Sequence, residues 1–531
     1  MRQAASIGGF GGKANRLNSF NVYTGDLDLI NRDLERFLAV EPEDIQRVAN
    51  RYLGDRHVRM VVLPEPARSH AAPGLDRSVE PPPATVKPFT PPLPQRSRLN
   101  NGLRLLTLEK RGIPAVGFAL MVDTGGTSDP SDLPGLASFT TSMLQEGTRD
   151  RSSQRISDDF EHMGIRLASM TSREHTTLGT EALTRHWPAA LELVADLALN
   201  ASFPEDELAR VRDQRLTMVR RSRDDATAIA ERVTAGLFYG RGTPGGHPLS
   251  GTEAALESIG RGDLLRHYRA GFGPERATLI VVGDVTMDEA SAIAEERLGG
   301  WTSDSAGTTA AEPGPEPSPR ASTTIYLIDK PGAAQSVIRA GHLSVPRKHA
   351  DYIKLLLLNH TFGGQFTGRL NMNLRQDKGY SYGYRSWFEW RPASSIFLAG
   401  GSVQTEVTRE SVEETLREFI DIGGGRPLEE AEFEAAKASV LRQFPSSFET
   451  QSQVLDQLTR LVSFDLPDDY YGSLAATIDA VSLDDVHQAA RERVEADRLA
   501  VLVVGDASVI EPGLRSLGYP VFTLDHEGRE L

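Results

Sequence analysis

Arg375 and Tyr382 stand seven positions apart in a stretch that runs through Gly379-Tyr380-Ser381-Tyr382-Gly383-Tyr384. A guanidinium and a phenol directed at a scissile carbonyl can stabilise the negative charge that develops on its oxygen. The pattern puts Arg375 near the end of a helix closed by Gly379, with Tyr380, Tyr382 and Tyr384 alternating on one face of the strand that follows. The same residues also suit an aromatic strand packed in a core with Arg375 paired to an acid. Local spacing leaves both readings open.

Other motifs carry less. Asp123-Thr124-Gly125 matches the short signature of aspartic peptidases, but the chain has no second Asp-Thr-Gly or Asp-Ser-Gly. A shared-proton pair needs two carboxylates in contact, so this stretch reads as a strand end turning on Gly125-Gly126. Gly8-Gly9-Phe10-Gly11-Gly12-Lys13 invites a phosphate-loop reading, yet Ala14 stands where Ser or Thr should meet magnesium, and a glycine hinge fits better. The 12 histidines include no pair at i, i+4 with a carboxylate between them, the arrangement that sets two imidazoles on one helix face around zinc. His162 with Asp158, Asp159 and Glu161 reads as a solvated helix face. Arg210, Arg212, Arg215, Arg220, Arg221 and Arg223 read as cations that snorkel or pair with acids.

Composition narrows the classes. The chain has 531 residues, 39% hydrophobic and 25% charged, which leaves ample apolar surface for several cores. With 73 acidic against 58 basic side chains, a formal charge of -15, it lacks the field that gathers nucleic acid. The absence of cysteine excludes disulfides, thiolate nucleophiles and Cys-ligated metal. Apolar runs such as Leu355-Leu356-Leu357-Leu358 fall far short of the roughly 20 residues of a membrane helix. The first residues lack the apolar core of a secretory signal.

These residues need a scaffold, and its plan repeats. Three segments share an acidic cap, an amphipathic helix, a charged turn and a short apolar strand: 42–63, 261–283 and 483–505. Their capping aspartates, Asp44, Asp263 and Asp485, lie 219 and 222 residues apart. Proline-rich stretches, 67–95 and 302–320, separate the copies. The expected organisation is a tail of a truncated unit at 1–66, a complete unit at 96–301 and a second at 321–531. On this expectation the chain begins inside a domain.

Within each complete unit, strands precede helices. Leu103 to Leu108 and Ala115 to Val122 read as strands, and Ile325 to Ile328 and Ser336 to Ala340 repeat the pair. Leu136 to Leu144, Ile156 to Met163, His186 to Leu199 and Glu205 to Arg223 show helical periodicity, with Gly164 as a C-cap. The expected class is α+β: duplicated two-layer units, each an antiparallel sheet with helices on one face.

The stretch Gly135-Leu136-Ala137-Ser138-Phe139-Thr140-Thr141-Ser142-Met143-Leu144-Gln145-Glu146-Gly147-Thr148 resembles, in frame, the Gly-Leu-Ala-His-Phe-x-Glu-His-Met-Leu-x-x-Gly-Thr block of the insulinase/pitrilysin-like (inverzincin) metallopeptidases. Ser138 and Ser142 stand where that family has its zinc histidines, and Thr141 where it has its catalytic glutamate. Phe203-Pro204-Glu205-Asp206-Glu207-Leu208-Ala209-Arg210-Val211 resembles the helix of the third ligand, with Val211 at or next to its place. Gly246-His247-Pro248-Leu249 with Gly251-Thr252, and Gly363-Gly364 through Leu374-Arg375 and Gly379-Tyr380, resemble further blocks; His247 reads as structural.

The resemblance implies a scaffold without the catalyst, because hydroxyls and a valine neither hold zinc nor lower the pKa of its water. It also implies that Arg375 and Tyr382 match the Arg and Tyr that active members use from the non-zinc half, and it favours the oxyanion reading of the pair. The expected function is a non-catalytic half that encloses unfolded peptide and completes a zinc-bearing partner half, fused upstream or on a separate chain. The chain alone is then expected to bind no zinc and to cleave nothing. The competing expectation is an assembly or peptide-binding subunit that has lost peptidase work, as respiratory-complex core subunits of that superfamily have. A periplasmic setting is implied by resemblance alone.

Overall fold

A computed structural model describes residues 12–53, 89–303 and 320–531. The glycine run at 8–11 and most of both proline-rich stretches lie outside the described residues. The chain divides into two compact units, Arg2–Phe89 and Thr90–Leu531, taken separately below.

The larger unit is α+β and built on two six-stranded sheets. The first holds β1 (Gln95–Arg98), β2 (Arg104–Glu109), β3 (Ala115–Val122), β4 (Ala168–Thr171), β5 (Thr176–Leu183) and β6 (Ala277–Gly283), in the order β1-β2-β6-β3-β5-β4. The second holds β7 (Thr324–Asp329), β8 (Gln335–Ser344), β9 (Ser381–Glu389), β10 (Ser395–Gln404), β11 (Ala500–Gly505) and β12 (Val521–Leu524), in the order β12-β7-β11-β8-β10-β9. The series β2-β6-β3-β5-β4 and β7-β11-β8-β10-β9 are the same arrangement used twice.

Both sheets are mixed, where the sequence suggested antiparallel ones. In each copy the strand ending at Val-Val-Gly returns after a helix and inserts between two earlier strands, β2 and β3 in the first sheet and β7 and β8 in the second. It runs parallel to the first of them (Leu106↔Ile280; Leu327↔Val503) and antiparallel to the second (Ala119↔Ile280; Ile338↔Val503). A long crossover makes the parallel pairing possible, which no hairpin could. Every residue of β6 and β11 is buried, as the continuous apolar run requires.

The helices of each copy lie on one face of its own sheet, as expected, and the opposite face has a further cover. Each copy covers one face of its own sheet, and its sibling covers the other. Ala226–Tyr239 of the first copy packs on β8 and β11, while Gln451–Ser463 of the second packs on β3 and β6. Ile229, Val233 and Phe238 join the core of the second sheet, and the Gln451 amide donates to the Ala115 carbonyl at 2.8 Å. The exchange follows from β3 being buried along all eight residues: a strand apolar on both faces needs two covers.

The smaller unit contributes three described helices, Lys13–Thr24, Leu29–Leu38 and Pro42–Tyr52. No described helix is long and apolar enough to cross a membrane.

Candidate functional site

Ser138, Thr141 and Ser142 lie on the helix Leu136–Leu144, which starts at Gly135 in the left-handed region (φ 92°). Asp129 anchors this start by accepting the Gly135 and Ala137 backbone N–H groups, both at 2.7 Å. The three hydroxyls open into a hollow of about 290 Å³, whose walls include Thr171 on the edge strand β4, Arg215, Met218 and Ser250.

Arg215, expected to snorkel or pair with an acid, lines this hollow and bonds to its hydroxyls and carbonyls. It projects from the helix Glu205–Ser222 and donates to the Ser142 hydroxyl (3.0 Å), the Ser138 carbonyl (3.2 Å), the Ser138 hydroxyl and the Ser250 carbonyl (3.2 Å). Its guanidinium carbon lies 5.2 Å from the centre of the Phe139 ring. Burial pulls its pKa down to about 10, opposed by the Asp129 carboxylate, so it stays charged at neutral pH.

Val211 needs a corresponding correction. It sits one turn earlier on the helix and is buried in the hydrophobic core. The residues of that helix that reach the hollow are Arg215, Met218 and Val219. The hydroxyls are also committed elsewhere: Ser138 donates to the Leu249 carbonyl (2.6 Å), Ser142 to the Ser138 carbonyl (3.0 Å) and Thr141 to the Ala137 carbonyl (2.9 Å). Zinc needs imidazole, carboxylate or thiolate donors at about 2.0–2.3 Å. Three spent hydroxyls around a fixed cation do not fit it, and no group of three His, Asp or Glu suited to a metal exists among the described residues.

Arg375 and Tyr382 form a different site in the second copy. A helical turn at Arg369–Asn371 continues as a π-helical turn, Met372–Asp377, and ends at Gly379 (φ 67°), whose N–H returns to the Arg375 carbonyl. Strand β9, at the sheet edge, then carries Tyr382. The Arg375 guanidinium carbon lies 4.8 Å from the Tyr382 ring centre and 4.6 Å from that of Phe366. Among the described residues no carboxylate pairs with Arg375, so the core reading of this arginine does not describe it. Tyr382 is 87% exposed. Its neighbour in the alternation, Tyr384, is fully buried and receives the Thr415 hydroxyl at 2.8 Å.

Asn371 ties the two elements together. Its carbonyl oxygen accepts the Tyr384 N–H at 3.1 Å and its amide donates to the Phe366 carbonyl at 2.7 Å. Neither Asn371 nor Phe366 stands out by type or spacing in the chain. Their role depends on the packing of three segments.

The remaining motifs are structural. Asp123 accepts from Arg104 at 2.7 Å and faces His175 at 3.4 Å; burial would raise its pKa, but these two neighbours lower it on balance. It has no carboxylate twin at hydrogen-bond distance among the described residues. His247 is buried and its carbonyl accepts from Arg173, while burial and that same cation lower the pKa of its imidazole.

Two copies of one sheet plan, with the degenerate helix in the first, meet two family descriptions. Residues 104–246 match the insulinase family (peptidase family M16), and residues 258–440 match the peptidase M16 inactive domain. The chain belongs to the insulinase-like (M16) family. Among M16 relatives, an uncharacterized zinc protease of Bacillus subtilis is 26% identical over 326 residues, 61% of this chain and 77% of that protein. Human mitochondrial cytochrome b-c1 complex subunit 1 is 26% identical over 216 residues, 40% of this chain and 44% of that protein. The M16 inactive domain of Pseudomonas fluorescens shares the fold, with a TM-score of 0.71 at 21% identity over 78% of this chain and 98% of that one.

Proposed function

We propose that this chain is the non-zinc half of an insulinase-like peptidase: it helps enclose an unfolded peptide, and Arg375 and Tyr382 steady the oxyanion formed when a zinc-bearing half attacks the scissile bond. The observation that carries this reading is the Arg375 guanidinium, without a carboxylate partner among the described residues, held beside exposed Tyr382. A buried or ion-paired arginine would have its charge spent; here it lies over the Phe366 and Tyr382 rings, and among the described residues no carboxylate pairs with it. The match to an M16 inactive domain supports the assignment to the non-catalytic side.

Zinc, in this reading, belongs to the partner half. This chain's contribution is orientation and charge: the guanidinium donates to the developing oxyanion and the phenol fixes the carbonyl's approach. The partner is a zinc-bearing half with an intact His-x-x-Glu-His helix.

The test is reconstitution. The chain mixed with such a half is expected to restore peptide cleavage, and Arg375→Ala to lower kcat by about 10²-fold, the scale of losing one oxyanion donor. Cleavage indifferent to both Arg375→Ala and Tyr382→Phe would instead favour an assembly subunit. The chain by itself is expected to hold well under one zinc per molecule and to leave peptides intact.

A further inference from the structure

A polar cavity of about 220 Å³ lies where the two copies meet. Its walls include Arg232, Arg241 and His247 of the first copy, Glu527 of the second, and the exposed Asp132. It shares no lining residue with the Arg215 hollow.

Buried and half-buried polar groups are ordinarily spent on one another; here several are not. Arg241 makes no side-chain hydrogen bond and no ion pair among the described residues, yet its stem is held in place. A Cβ added at Gly236 would come within 2.8 Å of the Arg241 Cγ, and one at Gly528 within 3.6 Å of its Cδ. The guanidinium is thus left open on a stem that packing from both copies has already ordered, which reduces the entropy lost when a ligand fixes it. His247 is 4% exposed, and its buried Nδ1 has no hydrogen-bond partner among the described residues. Such an atom is costly to bury unless something meets it. Arg232, on the helix Ala226–Tyr239, donates only to neutral acceptors, the Ser250 hydroxyl at 2.8 Å and the Gly251 carbonyl at 2.7 Å.

The signs of the lining charges are mixed. Arg232 and Arg241 face two carboxylates: Glu527, which shares its charge with Arg529 at 2.5 Å, and Asp132, which has no ion pair among the described residues. A simple anion drawn to the guanidiniums would be repelled by the carboxylates, and a simple cation would meet the reverse. A small molecule bearing both charges satisfies both sets of groups. The volume is below the roughly 300 Å³ at which pockets for drug-sized ligands begin, which limits the ligand to few heavy atoms.

We infer that this cavity binds a small zwitterion of the α-amino-acid class, its carboxylate received by Arg241, Arg232 and the His247 imidazole and its ammonium by Asp132. The bound molecule touches both copies, so it stabilises the folded unit as a whole.

The test is calorimetric titration of the full chain with each proteinogenic L-amino acid in turn, followed by thermal unfolding with the tightest binder. At least one is expected to bind at a single site per chain and to raise Tm. Its N-acetyl derivative and its amide, each lacking one of the two charges, are expected to bind about 10-fold more weakly or worse, the scale of losing one charge-assisted hydrogen bond. Arg241→Gln and Asp132→Asn are expected to weaken binding on the same scale while leaving the ligand-free Tm close to wild type, because neither side chain has an ion-pair partner to lose. Arg221→Gln, which removes an exposed cation outside the cavity, is expected to leave affinity within about twofold. Equal or tighter binding of the N-acetyl derivative or of inorganic phosphate shows a simple anion site and overturns the proposal. Binding by no amino acid, or binding indifferent to both Arg241→Gln and Asp132→Asn, overturns it as well.

Discussion

The Arg215 guanidinium donates to the Ser142 hydroxyl at 3.0 Å and so ties the Glu205–Ser222 helix to the Leu136–Leu144 helix. The hollow therefore holds a fixed positive charge. A cation a few ångströms from a second cation in a half-buried hollow is strongly disfavoured.

Restoring the ligand types alone is thus expected to fail. The variant Ser138→His, Thr141→Glu, Ser142→His should hold less than 0.1 zinc per chain, about the background of metal analysis, while Arg215 remains. Adding Arg215→Ala and Met218→Glu should bring the ratio close to one zinc. Stoichiometric zinc in the first variant would show that Arg215 does not exclude the metal.

Arg375→Ala and Tyr382→Phe are expected to leave thermal stability within about 0.5 kcal/mol of wild type, because both side chains lie at the surface. Asn371→Ala, which leaves the Tyr384 N–H and the Phe366 carbonyl without partners, is expected to cost about 1–3 kcal/mol. Denaturant unfolding measures all three. A large loss for Arg375→Ala would mean that it serves the fold.

His342 and His267 are buried, and burial pulls both from 6.5 down to about 4. The folded state must keep them neutral, whereas the unfolded chain protonates them below pH 6.5. Their contribution is complete above pH 6.5 and is lost as pH falls toward 4, about 3 kcal/mol for each over that window. His342→Gln is expected to flatten the fall of Tm between pH 6.5 and 4.5. Parallel profiles for variant and wild type would refute the assignment.

Gly135→Ala is expected to destabilise by about 3 kcal/mol or more. Its φ of 92° disfavours any side chain, and an added Cβ would come within 2.4 Å of the Gly251 Cα. A Tm unchanged by the substitution would contradict this close approach.

Much of the fold was legible in the chain because its causes are local. The helix Leu136–Leu144 and the strand Ala115–Val122 follow from residue periodicity alone, and both have the expected bounds. The common cap of Asp44, Asp263 and Asp485 revealed the duplication. Ser138, Thr141 and Ser142, singled out by the motif frame, line one hollow.

Other features depend on which surfaces meet. Val211 and Arg215 lie one turn apart on the same side of one helix, and periodicity cannot say which turn faces Ser142. The crossing of the two helices, set by side-chain packing over the whole interface, chose Arg215. In the same way, the apolar run of β6 announced burial on both faces but not that Gln451–Ser463 of the sibling copy would supply the second cover. Sequence by itself determined the elements and their repetition, since each depends on neighbours along the chain. Tertiary structure alone set Arg215 against Ser138 and Ser142 and, among the described residues, left Arg375 beside Tyr382 without a carboxylate, because these relations join residues that only packing brings together.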